Sequence, residues 1–435
     1  MPKAMKLASS AVVVSVMLAG CAAGQAATSV TPATSAGEAT KVTLTFANAD
    51  PAATWAEVIA GFEKANPDIT VKQLNIPYAQ YVSTINQRLA TKNSGIDLLV
   101  VDAGGALLDW ANRGFLADVS DLTADATAAA VSPDMVTARQ VEGKQLALEP
   151  WTTSQFLYFN KDILKKAGVD VPDSDPTKPW TYEQLIQAAA KVKAANAAQY
   201  PFLFDQWDSY YQLQMIGTSA GGGDGIDASG KVDFSNPGWQ KALTWYGSLF
   251  KDGISPRGIT NDKNGALFQA GKAAFMVSGP WGVQQANKGK LNYGIAAAPY
   301  FEGGKQATST DSWGISAAAS TANLDAAKKF LRYAVIDPAG NQLSAKVAGI
   351  TPTNKDAFAK YVSEVEASGE GTKAFGSIME YQLQNNAVHR PNVIGYSIFE
   401  PGANKMFADI RNGTDPGSRA TQADGEITAQ IARLK

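Results

Sequence analysis

The chain has 435 residues, 45% of them apolar and 18% charged, and its 38 basic and 40 acidic side chains leave a formal net charge of −2. That length supports two or three domains with separate cores, and the near-neutral balance argues against a nucleic-acid polyanion or an anionic membrane surface as a partner. A single histidine, His389, and a single cysteine, Cys21, exclude an intramolecular disulfide and the usual zinc ligand sets, so no metal and no cofactor are expected.

Lys3 and Lys6 precede an apolar run over residues 7–18 that is too short to span a bilayer and ends in Leu18-Ala19-Gly20-Cys21. This resembles a bacterial lipoprotein signal. It implies a signal peptide over 1–20 and a lipid on Cys21, which would hold the protein outside the cytoplasm on the bacterial membrane. Residues 21–40 form a flexible tether, of which residues 22–40 are small and polar with one proline and span about 24 Å as a coil of 19 residues.

Order is expected from residue 41. Alternation and β-branching over 41–46 predict a strand, and Trp55, Val58, Ile59 and Phe62 mark one face of a helix closed by Pro67. A strand over 69–74, a helix over 81–91 and a continuous apolar strand over 96–101 complete a β-α-β-α-β series. Such a series predicts an α/β fold with a mostly parallel sheet, helices on both faces and ligands at the carboxyl ends of the strands. Asn48, Asp50, Asp102 and Ala103 occupy such ends.

A second set of elements begins near Glu149-Pro150-Trp151. It comprises a strand over 155–159, helices over 162–167, 182–195, 210–216 and 237–251, a short helix over 265–270 and a strand over 273–277 that runs into Gly279-Pro280-Trp281. A strand over 313–318 and a helix over 323–335 follow, so the chain must cross between its halves several times.

The segments GFEKANPDITV (61–71), IDLLVVD (96–102), LYFNKDILKKAGVDVP (157–172) and GGDGIDASGKVDFSNP (222–237) occur in one order with FQAGKAAFMVSGPWG (268–282), NYGIAAAPYF (292–301) and SWGISAAASTANLDAAKKFLRYAV (312–335). Together they resemble the extracellular solute-binding proteins of sugar importers, the family that includes maltose-binding protein, over nearly all of residues 41–435. The resemblance implies two lobes, residues 41–150 with 312–345 and residues 151–311 with 346–435, hinged around a cleft. It further implies a monomer that closes on a mono- or oligosaccharide and delivers it to permease subunits worked by a cytoplasmic ATPase, without catalysis. The chain itself has no Gly-x-x-x-x-Gly-Lys-Ser/Thr element, in keeping with ATP binding by a partner.

Sugar recognition needs aromatic planes for the apolar faces of the ring and short polar groups for its hydroxyls. Positions matching the family's ligand loops are Asn48, Asp50, Tyr78 and Asp102 in the first half, and Trp151, Thr153, Ser154, Trp207 and Trp281 in the second. Trp313 stands at a crossing, and Arg390 and Tyr396 lie in a late segment of the same kind. The competing structural roles are core packing for the tryptophans, helix capping for Asp50 and Asp102, and a surface ion pair for Arg390. Thr152-Thr153-Ser154 stands where the family often carries an acid, with Glu149 displaced upstream, and Ala103-Gly104-Gly105 replaces a more polar run.

The alternative is a secreted lipoprotein hydrolase acting on carbohydrate or ester, since Gly217-Thr218-Ser219-Ala220-Gly221 fits a nucleophile pattern with His389 downstream. A nucleophile elbow needs a buried strand before the serine, whereas helix periodicity precedes Ser219. Asp224, Asp227 and Asp233 lack calcium-loop spacing and predict a hairpin.

Overall fold

The computed structural model describes residues 41–434 apart from 51, 92–93, 102–104, 260, 312 and 347–348. The leader, Cys21, the tether and Asp102 lie outside the described residues. Within 41–434 two sheets and two hydrophobic cores form two lobes.

Strand Val42–Asn48 is central to the first sheet because its inward side chains, Leu44 and Phe46, are wholly buried. It pairs in parallel with Ile69–Asn75 on one side and Leu98–Val101 on the other, and Gly314–Ala317 adds an antiparallel edge to Leu98–Val101. Helix Ala52–Ala65 turns Trp55, Val58, Ile59 and Phe62 onto this sheet, where Phe46 and Phe62 meet Phe330. The chain order predicted for this half is therefore realised, with a late strand returning to close the sheet.

The second sheet has the order Tyr293–Ala297, Phe156–Asn160, Ala273–Ser278, Tyr200–Phe204. Its first two pairings are antiparallel and its third is parallel, so the mostly parallel geometry expected from the sequence holds in the first sheet and gives way here to a mixed one. Residues 156–160 and 273–278 are buried throughout, and a strand covered on both faces carries no pattern from which direction can be read. Helix Pro237–Lys251 covers this sheet's core, with Asn236 capping its first turn and Pro237 pre-set at its start. No helix among the described residues is long and apolar enough to cross a membrane.

Three stretches pass between the cores, near residues 149–155, 308–314 and 350–354. Trp151–Thr152 pairs with Thr351–Pro352, and Thr308–Ser309 pairs with Ala387–Val388. Between the first two stretches, hydroxyls take over from a backbone ladder. Thr153 Oγ1 donates to the Asp311 carbonyl at 2.7 Å, Thr310 Oγ1 to the Thr153 carbonyl at 2.5 Å, and the Ser154 and Thr308 hydroxyls lie 3.2 Å apart. Buried Asn341 ties the remaining stretch: its amide donates to the Pro150 and Ala334 carbonyls at 2.6 and 3.0 Å, and its carbonyl accepts the Asn354 N–H at 2.8 Å. Asn341→Ala strands these groups away from water and is expected to cost about 2 kcal/mol in chemical denaturation. A loss under about 0.5 kcal/mol would show that the crossing stretches hold together without it.

Candidate functional site

A cleft of about 340 Å³ lies against the crossing stretches. Asp50, Trp151, Trp313 and Ile350 contribute to its wall, facing Gln206, Ser209, Tyr211, Trp281, Arg390 and Glu400, with Thr153 and Asp311 between them.

Each aromatic is set by a local device. Trp281 follows Gly279-Pro280 at the end of Ala273–Ser278; a Cβ at Gly279 would lie 2.3 Å from the Trp281 ring, so only glycine lets the indole fold back there. Its N–H then donates to Asp205 at 2.5 Å. Trp151 rests on Trp55 with ring centres 4.9 Å apart, and Trp313 approaches Tyr81 at 6.4 Å. Asp50 sits just beyond the first strand, where its carboxylate accepts the Trp55 N–H at 2.8 Å. Burial raises its pKa, and that hydrogen bond only partly offsets the effect.

The charged floor of the cleft centres on Asp311, whose side chain is fully buried and whose φ of +106° is one that L residues rarely adopt. One carboxylate oxygen meets His389 Nδ1 at 2.6 Å and Arg139 Nη2 at 3.3 Å, while the other accepts the Arg390 backbone N–H at 2.5 Å. Burial works against the Asp311 charge, but the His389 hydrogen bond and the neighbouring arginines outweigh it and hold its pKa below the usual value. Burial likewise opposes protonation of His389, and the Asp311 hydrogen bond and charge reverse this and raise it. Glu149, also bonded to Arg139, is pushed up to about 7 by burial despite that partner. Arg390, thus anchored, lies over the Tyr211 ring at 5.4 Å and 3.9 Å from Glu400.

Of the residues expected at the site, the cleft brings together Asp50, Trp151, Thr153, Trp281, Trp313 and Arg390. Asn48 is wholly buried one step earlier, bound by Asn75 at 2.8 Å. Ser154 is turned away and accepts from Gln382 at 2.6 Å. Trp207 belongs to the second core, edge-on to Phe250, with its N–H on the Ile259 carbonyl at 3.1 Å. Tyr396 is buried against Tyr210 and Phe399 and borders a neighbouring chamber instead. Tyr78 opens helix Tyr78–Leu89.

The cleft residues not anticipated are Gln206, Ser209, Tyr211, Asp311, Ile350 and Glu400. Gln206 adjoins Trp207 and Tyr211 adjoins Tyr210; a readable signal existed only for Ser209, the polar residue immediately before helix Tyr210–Ser219.

Ser219 is wholly buried at the end of that helix, its hydroxyl accepting the Phe301 N–H at 2.8 Å, and neither it nor His389 lines the cleft. Residues 226–232 form the expected hairpin around Asp227, and among the described residues no group of three or more His, Cys, Asp or Glu is placed to hold a metal.

The family model for bacterial extracellular solute-binding proteins matches residues 47–339. A mannitol-binding protein of Pseudomonas aeruginosa is 29% identical over 303 residues, 67% of this chain and 68% of its own length. A probable ABC transporter-binding protein of Deinococcus radiodurans is 26% identical over 84% of this chain and 87% of its own. Among solved structures, the GacH receptor of Streptomyces glaucescens, studied unliganded and with acarbose, superposes with a TM-score of 0.74 over 90% of this chain and 99% of its own, at 22% identity. At that identity the likeness speaks to the two-lobed fold.

Proposed function

The chain belongs to the bacterial extracellular solute-binding protein family, and from that premise we propose that it captures a neutral carbohydrate in the cleft and hands it to a membrane permease coupled to a cytoplasmic ATPase. The observation that carries this reading is the lining itself: the partly exposed Trp281 and Trp313 offer planes for ring C–H faces, among the hydroxyl-binding groups Asp50, Gln206, Ser209, Arg390 and Glu400. With the Asp50 and Glu400 carboxylates beside one arginine, that lining favours hydroxyl donors and opposes a phosphate or carboxylate on the ligand. The mannitol-binding relative and the acarbose-binding structural neighbour support the same class.

The lobes, residues 41–150 with 312–345 and 151–311 with 346–435, would close because a ligand touching both gains its full contacts only when they meet. The hydroxyl contacts between crossing stretches suit such bending. The remaining assignments, a lipid on Cys21, a monomer and no turnover of the bound sugar, are part of the same reading.

A thermal-shift panel tests it, because a ligand at 100 times its dissociation constant stabilises by about 2.7 kcal/mol. Neutral sugars or polyols from the panel are expected to raise the melting temperature and be recovered intact, while sugar phosphates leave it unchanged. Stabilisation by no carbohydrate, or recovery of a cleaved one, would overturn the proposal.

A further inference from the structure

His389 is the chain's only histidine, and it does not line the cleft. Yet it stands beside Arg390, which does, and both depend on one carboxylate. The parallel pair Thr308–Ser309 with Ala387–Val388, continued by the Thr310 N–H on the Val388 carbonyl at 3.0 Å, brings Asp311 alongside His389 and Arg390. One Asp311 oxygen meets His389 Nδ1 at 2.6 Å; the other accepts the Arg390 backbone N–H at 2.5 Å and lies 3.8 Å from its Nε. The Asp311 side chain has no solvent exposure, whereas that of His389 is 28% exposed, so protons reach the group through the imidazole. The charged and titratable groups facing these three from other elements are Arg139 and Glu149 leading into the first crossing stretch, Tyr210 and Tyr211 on helix Tyr210–Ser219, and Glu400 on helix Tyr396–Arg411.

Resting on the carbohydrate reading above, we propose that His389 is a positioning residue for Arg390: through Asp311 it governs how the guanidinium is presented to the cleft, so that sugar binds more tightly when His389 is protonated than when it is neutral. An imidazolium satisfies Asp311 with a charge-assisted hydrogen bond, and Arg390 is then held by its backbone with its guanidinium over Tyr211, available to two hydroxyls. A neutral imidazole makes the weaker bond and leaves the Asp311 charge to draw that guanidinium, only 3.8 Å away, back from the sugar. Burial opposes the His389 charge, but the Asp311 hydrogen bond and charge outweigh it and raise the pKa from 6.5, so the tighter-binding form persists through pH 6.5 and is lost above it.

The test is titration calorimetry on the full chain at pH 6 and pH 9 with mannitol and with maltose or, where neither binds, with the sugar of the thermal-shift panel that stabilises most. It is joined to an NMR titration of the imidazole Cε1–H, which a single histidine makes unambiguous. Wild type is expected to bind at least about fivefold more weakly at pH 9 than at pH 6, and by reciprocity the saturating sugar is expected to raise the His389 midpoint by at least about 0.7 pH units. His389→Gln, which keeps a donor but cannot take up the charge, is expected to bind at both pH values within about twofold of wild type at pH 9, while Glu149→Gln keeps the wild-type ratio. A midpoint that the sugar leaves in place overturns the proposal, as does a pH ratio that survives in His389→Gln or vanishes in Glu149→Gln, and in each case the carbohydrate receptor stands. Binding of no sugar in the panel removes both readings.

Discussion

Asp311→Asn is expected to lower the free energy of unfolding by about 3–5 kcal/mol, the effect of removing one partner from a buried set of charges. Arg139, His389 and the Arg390 backbone all converge on this carboxylate, whose side chain has no solvent exposure. Its replacement leaves two guanidinium groups and the imidazole in a low-dielectric site with Glu149 and Glu400 as the remaining acids beside them. The same carboxylate holds a left-handed backbone at a crossing stretch, a conformation costing of order 1–3 kcal/mol that persists only where its surroundings impose it. Guanidinium denaturation at neutral pH measures the loss, and a change under about 1 kcal/mol would mean that the cluster is not a structural centre.

The cluster also sets a pH dependence whose sign follows from linkage. Glu149, raised from 4.5 to about 7, contributes no penalty below 4.5 and destabilises as pH rises through its folded value. His389, raised from 6.5, contributes stability that is complete below 6.5 and lost as pH rises further. Asp311, lowered from 3.8, acts in the opposite sense: its contribution is present above 3.8 and disappears only as pH falls below it. Between pH 5 and 8 the first two effects add, so wild type is expected to melt at a lower temperature at pH 8 than at pH 5. Asp311→Asn removes the anion that raises His389 and that adds to the effect of burial on Glu149, and is expected to flatten this slope.

The second large effect belongs to Trp281→Ala, which is expected to weaken sugar binding by at least about 2 kcal/mol, or roughly thirtyfold, as for an aromatic anchor at the centre of a site. Trp281 lines the cleft beside Gln206 and Ser209, and its indole is fixed by Asp205 on one side and the bare backbone of Gly279 on the other. A fixed ring meets its ligand without losing rotamer freedom. Trp281→Phe keeps a plane but loses the hydrogen bond to Asp205, and is expected to fall between alanine and wild type in the same calorimetric titration. Undiminished affinity in the alanine variant would place the ring outside the binding surface.

How far the sequence could be read depended on the range of the physics involved. Helix Pro237–Lys251 was legible to the residue because its punctuation is local: an Asn cap, a proline at the first position and apolar residues on one face. Gly279-Pro280-Trp281 was legible for a similar reason. Facing was harder. Trp207 and Gln206 are neighbours, yet the tryptophan enters the core and the glutamine the cleft, a choice fixed by the Ile259 carbonyl 52 residues away. Tyr210 and Tyr211 divide in the same way, about 100° apart on one helix, with Tyr210 fully buried and Tyr211 beside Arg390. Thr152-Thr153-Ser154 looked like a ligand loop, but its hydroxyls chiefly join one crossing stretch to another; of the three, Thr153 lines the cleft. The Asp311 cluster was beyond reach, because Arg139 and Asp311 stand 172 residues apart and no local pattern links them.

The measurement that tests the central claim most directly is small-angle X-ray scattering of the purified protein, alone and saturated with the sugar that stabilises it most. The radius of gyration is expected to fall on saturation as the lobes close, and to fall at a higher sugar concentration for Trp281→Ala, in step with its weaker binding. An unchanged radius in the saturated wild type would contradict capture of the sugar by closure of the two lobes.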